Sequence, residues 1–101
     1  MSLTKKQLND TGRELRENLA KSGLSIEQVA ADLATSSEYI EQLLRLEPKR
    51  YEDTWILKNY LLDKVREAGK TPTEFTALAG DYRIIWFLDA DYIDRKKINS
   101  P

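Results

Sequence analysis

Between positions 24 and 46 the apolar and small residues recur at the spacing of two short helices joined by a tight turn. Val29, Ala30 and Leu33 make one inner face, Ala34 and Thr35 the turn, and Ile40 and Leu43 a second inner face. This is the pattern of a helix-turn-helix, whose second helix is the recognition-type one. Ala30 falls where two crossing helices approach most closely, so a larger side chain there would hold them apart.

The helix starts carry their own chemistry. Thr4 precedes Gln7 by three residues, as Ser25 precedes Gln28 and Thr71 precedes Glu74. Each pair is suited to a capping box, in which side chains satisfy the free backbone N–H groups of a first turn. Leu3 with Leu8, and Leu24 with Val29, occupy the two positions of a hydrophobic staple. The first helix is therefore expected over residues 5–22, with Leu8, Leu15 and Leu19 on one face and Gly23 as its C-terminal cap. The recognition-type helix should run to about Leu46, since Pro48 forbids simple continuation. Asp53 is expected to cap a fourth helix over residues 53–68, with a stripe of Leu57, Leu61, Leu62 and Val65 joined by Trp55, ended by Gly69. Pro72 suits a first helical position and opens a short fifth helix through Phe75 and Leu78 to about Ala79, before Gly80.

The last twenty or so residues leave two readings. Ile84 to Leu88 is an unbroken apolar run, compatible with a buried strand or with a short buried helix capped by Asp81. A strand would need a partner near Tyr92 to Lys97 in a wing-like hairpin. Residues 93–98 lack the apolar alternation of such a partner, which favours a short helix and an extended tail. The expected fold is all-α: a bundle of about five helices in one domain over residues 1–101, with a helical core over 1–80 and an apolar segment and tail over 81–101.

Composition narrows the function classes. There is no cysteine and no histidine, so disulfides and thiolate metal sites are excluded and catalytic chemistry has few carriers. No G-x-S-x-G and no phosphate-binding glycine loop occurs, and the expectation is a non-enzyme without cofactor or metal. No apolar run approaches the roughly 20 residues of a membrane span, and the N-terminus lacks a secretory h-region, so a cytoplasmic location is expected. Sixteen basic residues against 17 acidic ones leave no bulk field toward nucleic acid.

The order of elements resembles the compact all-α domains of Cro and lambda-repressor type. More of the chain is similar to a bacterial family of uncharacterised proteins, domain of unknown function 2316. The residues that carry this are Thr11, Glu14, Leu15 and Asn18, then GLSIEQVAADL, Asp53-Thr54-Trp55-Ile56-Leu57, and Gly80-Asp81-Tyr82 with Trp86-Phe87-Leu88. The resemblance implies a small helix-turn-helix-like protein and assigns no biochemical activity.

On the motif itself, Ser36, Ser37, Gln42 and Arg45 are the candidate DNA contacts, with Lys49 and Arg50 just beyond. Gln suits adenine, Arg suits guanine or phosphate, and serine hydroxyls suit backbone oxygens. Against this, Glu27, Asp32, Glu38 and Glu41 face only Arg45 across residues 24–46, a disadvantage for phosphate neutralisation. Lys5, Lys6, Arg13, Arg16 and Lys21 could compensate, or form a solvated face with pairs such as Glu17 and Lys21. The expectation is a regulator-like DNA-binding protein; the alternative is a non-catalytic protein interaction or dimerisation module that keeps the motif as a structural element.

Two further features are weighed. Asp89, Asp91 and Asp94 form an acidic string without the central glycine and closing glutamate of a calcium loop, and read as a polar turn. Trp55, Phe75, Trp86 and Phe87 together with Tyr82 and Tyr92 offer more aromatic surface than a domain of this size easily buries. A homodimer contact bordered by Tyr82, Tyr92 and Ile93 is therefore expected.

Overall fold

The computed structural model describes residues 4–76, 90–94 and 98. Among them are five helices and no strand: α1 (Lys5–Ser22), α2 (Ile26–Asp32), α3 (Ser37–Leu44), α4 (Tyr51–Glu67) and α5 (Ala90–Asp94). The fold is all-α.

The caps explain where the first three helices begin. Thr4 forms the full capping box: its Oγ1 accepts from the Gln7 N–H at 3.1 Å and its own N–H donates to Gln7 Oε1 at 2.9 Å. Ser25 forms half of one. Its hydroxyl accepts from the Gln28 N–H, but the Gln28 amide donates to Asp32 one turn later, at 2.9 Å. Ser36 caps α3 through the Tyr39 N–H.

Three of the helix ends close as Schellman motifs. At the end of α2 the Thr35 N–H reaches the Ala30 carbonyl at 2.9 Å, and at the end of α3 the Glu47 N–H reaches Gln42 at 2.9 Å. At the end of α4 the Lys70 N–H reaches Val65 at 3.1 Å. The motif needs a left-handed residue, usually glycine. Gly69 fills that place after α4, but Ala34 at φ 60° and Leu46 at φ 57° fill it after α2 and α3. The recognition-type helix thus ends at Leu44, two residues short of the expectation, because Leu46 leaves the helical region.

The core joins every element. Leu15 of α1, Val29, Leu33, Ile40 and Leu43 of the motif, Ile56, Leu57, Leu61 and Val65 of α4, and Ile93 and Ile98 are all essentially inaccessible. Ala30 is 3% exposed, as close helix packing requires. The first helix keeps Leu15 inside and Leu19 partly buried, whereas Leu8 stays at the surface, 39% exposed. Its staple partner Leu3 lies outside the described residues.

The centre of the bundle is α4, which touches α1, α3 and α5. It starts at Tyr51, two residues before Asp53, and Arg50 at its N-cap makes no side-chain cap bond. Glu52 to Lys58 are all buried, so the expected one-sided stripe becomes an all-round burial over this stretch.

Residues 71–76 correct the sequence reading. They are not helical. The cause is the buried side chain of Asn18, which pairs with both backbone groups of Thr73: Nδ2 donates to the carbonyl at 3.0 Å and the Thr73 N–H donates to Oδ1 at 2.9 Å. Glu14, 1% exposed, then accepts from the Thr76 N–H and hydroxyl at 3.2 and 2.9 Å. These bonds hold the segment against α1 in a non-helical path, with Phe75 in the core, so Thr71 and Pro72 open no helix. The expected continuation through Leu78 and Ala79 lies outside the described residues.

The run 84–88 with its Asp81 cap also lies outside them. Beyond it, Tyr92 to Asp94 belong to α5, which excludes the pairing strand of a wing beginning at Tyr92. Ile98 is fixed to the motif: its N–H donates to the Leu33 carbonyl at 2.8 Å.

Candidate nucleic-acid interface

Burial divides α3 into two sides. Tyr39, Ile40, Leu43 and Leu44 point into the bundle, while Glu38, Glu41 and Arg45 are exposed and Ser37 and Gln42 are half-buried. The outer side therefore carries the residues expected there, acidic pair included.

All of the candidate contacts except Ser37 have a local role. Ser36 spends its acceptor on the helix cap. The Gln42 amide donates to the Glu47 carbonyl at 3.4 Å, and Arg45 Nε pairs with Glu47 Oε1 at 3.3 Å. Both partners of that pair are mostly exposed, so the bond is weak and readily exchanged for another anion. Arg50 lies with its guanidinium 4.0 Å from the centre of the Tyr92 ring and its Nε 3.8 Å from Glu52. Lys49 has its ammonium 5.4 Å from the Tyr39 ring centre.

Beneath Lys49 and Arg50 is a buried polar cluster that the sequence reading did not find. Asp53, 2% exposed, accepts a hydrogen bond from the Tyr39 hydroxyl. That hydroxyl in turn accepts from the Lys49 N–H at 2.9 Å. The Tyr92 hydroxyl lies 2.9 Å from the other Asp53 oxygen and 2.7 Å from the Ile98 carbonyl. Having one proton, it donates to one of them at a time. Burial, and then the Asp53 carboxylate, push the Tyr39 hydroxyl up to about 12. Asp53 is thus a joint between α3, α4 and α5, and through Tyr39 it holds the backbone at Lys49, at the end of the loop that carries the two basic residues. Only its position near the start of α4 was legible, and that position suggested a cap.

The basic residues of α1 divide as well. Lys6 pairs with Asp10 at 3.0 Å and Arg13 with Glu17 at 2.9 Å. Glu17 therefore meets Arg13 and not Lys21, whose ammonium donates to the Thr71 carbonyl at 3.0 Å. Arg13 holds the Glu17 carboxyl below its usual range.

Of the residues expected to border a dimer contact, Ile93 is in the core at 1% exposed and Tyr92 is half-buried in the Asp53 cluster. Tyr82 lies outside the described residues. Asp91 and Asp94 are exposed on α5, and Asp89 is outside the described set. Among the described residues no group of three or more acidic side chains is arranged to hold a metal ion. No described helix is long and apolar enough to cross a membrane.

These features define an all-α bundle built on a pair of short helices joined by a tight turn. The chain belongs to a family of uncharacterised proteins conserved in bacteria, domain of unknown function 2316, which matches it over residues 1–89. Searches of curated proteins and of solved structures give no significant match.

Proposed function

We propose that this chain is a DNA-binding protein of helix-turn-helix type, regulator-like and akin in element order to Cro and lambda-repressor domains. The observation that carries the reading is the two-sidedness of α3. Its apolar side chains lock it against α2 and α4, leaving Ser37, Gln42 and Arg45 outward, with Ser36 exposed at the helix start. Arg45 exchanges Glu47 for a phosphate or a guanine edge, and Lys49 and Arg50 follow the phosphates beyond. With so few cations the affinity rests on few neutralised phosphates, so its salt slope is shallow. Titration of genomic fragments at low salt tests this. Binding that disappears when Arg45, Lys49 and Arg50 are replaced together supports the reading; no binding by the unaltered protein ends it.

A second reading, a non-catalytic protein interaction module, draws on the acid–base pairs Arg45–Glu47 and Arg50–Glu52 and on exposed Glu38 and Glu41. There the motif is scaffold, and α3 offers carboxylates to a basic partner. Glu38→Gln with Glu41→Gln raises non-specific duplex affinity under either reading, but only a module of this kind loses its basic partner, and that loss separates the two.

A further inference from the structure

Between α1 and the end of α3 lies a groove of about 420 Å³ lined by Lys5, Leu8, Asn9, Gly12, Arg16 and the segment 44–46. Its depth depends on Gly12. A methyl group there would lie 3.3 Å from the Leu44 carbonyl oxygen and 3.4 Å from Leu46 Cδ2. Three cations rim it, Lys5, Arg16 and Arg45, and no described acidic side chain lines it. While Lys6 and Arg13 are ion-paired and Arg45 is held by exposed Glu47, Lys5 and Arg16 form no ion pair among the described residues; Arg16 donates to the Leu44 carbonyl at 3.3 Å. Leu8, the one exposed large hydrophobic among the described residues, stands on this groove with half-buried Leu46.

We propose that this groove docks an acidic segment of a protein partner through an apolar anchor. A cationic rim around leucines complements carboxylates flanking an aliphatic or aromatic side chain, as in helix-in-groove recognition. Duplex DNA fits less well, because a phosphate backbone gains nothing from Leu8 and Leu46. The groove shares Arg45 with the outer side of α3, but its other lining residues are none of the candidate DNA contacts, and it does not depend on the DNA reading.

The test is fluorescence anisotropy with a labelled amphipathic peptide of leucines and glutamates at low salt, with amide spectra of the protein recorded alongside. Saturable binding is expected, with shifts concentrated at Leu8, Asn9, Gly12 and Leu46. Lys5→Glu and Leu8→Ser should each weaken it about tenfold, and so should glutamine in place of the peptide's glutamates. Both side chains are exposed, and an acidic residue suits the first turn of a helix, so thermal melts should match the unaltered protein. Absence of saturable binding, shifts located elsewhere, or indifference to Leu8→Ser would overturn the proposal. Displacement of the peptide by a short DNA duplex, with Lys5→Glu weakening both, would assign the groove to phosphate instead.

Discussion

Ala34 holds a left-handed backbone at φ 60°, where an L-residue is strained by roughly 1–2 kcal/mol. Its side chain is exposed, so it recovers nothing by packing. Glycine would relieve the strain at some entropic cost in the unfolded chain. Ala34→Gly is therefore expected to stabilise the protein by about 0.5–1 kcal/mol, seen as a raised thermal midpoint. Leu46, with the same backbone geometry, is half-buried on the core, and glycine there would trade strain for lost packing. A second residue-level expectation concerns Tyr39. Its hydroxyl titrates at about 12, above the ordinary tyrosine value, so its contribution to stability is whole below pH 10 and is lost as pH rises through 12. Melts from neutral to strongly alkaline pH should show this loss, and Tyr39→Phe should lessen it, leaving the part that comes from Tyr60, whose hydroxyl burial and Asp32 also push up.

Among the elements, those with clear caps and a helical period were legible. Thr4, Ser25 and Gly23 mark ends by local chemistry, and Leu15, Val29, Ile40 and Leu43 mark inward faces by spacing. Residues 71–76 were misread because the decisive partners are remote. Asn18 lies 55 positions from Thr73, and neither propensity nor period records that a polar side chain is buried and paired with a distant backbone. Asp53 was misread for the same reason, since a carboxylate near a helix start also suits a cap. The candidate site was legible as a list of outward residues on α3; the pairing of Arg45 with Glu47 and the seating of Arg50 on Tyr92 were not. If Asn18 holds the segment out of a helix, Asn18→Ala should cost roughly 1–3 kcal/mol by leaving both Thr73 groups unmet. Faster amide exchange at Thr73 and Thr76 should accompany it, with the α2–α3 amides unchanged until global unfolding. Uniform acceleration across the chain would count against a local clamp.

For the molecule as a whole, the described C-terminal residues belong to the core and not to a detachable tail. Ile93 and Ile98 are 1% and 2% exposed, and both sit among side chains of the first four helices. Ile93→Ala should therefore lower stability by about 2–5 kcal/mol, with light scattering giving the same mass in solution as for the unaltered protein. A folded variant of changed mass would instead place Ile93 at a contact between copies.

The bond from the Ile98 N–H to the Leu33 carbonyl ties the end of α2 to a residue synthesised 65 positions later, a separation that bears on how the chain leaves the ribosome. Chains generally fold from the N-terminus during translation, but here the end of α2 cannot gain its bond to Ile98 until residue 98 has cleared the exit tunnel. The nascent chain would then carry its helix-turn-helix without this tie until residue 98 has emerged, making it a client for holding chaperones over that interval.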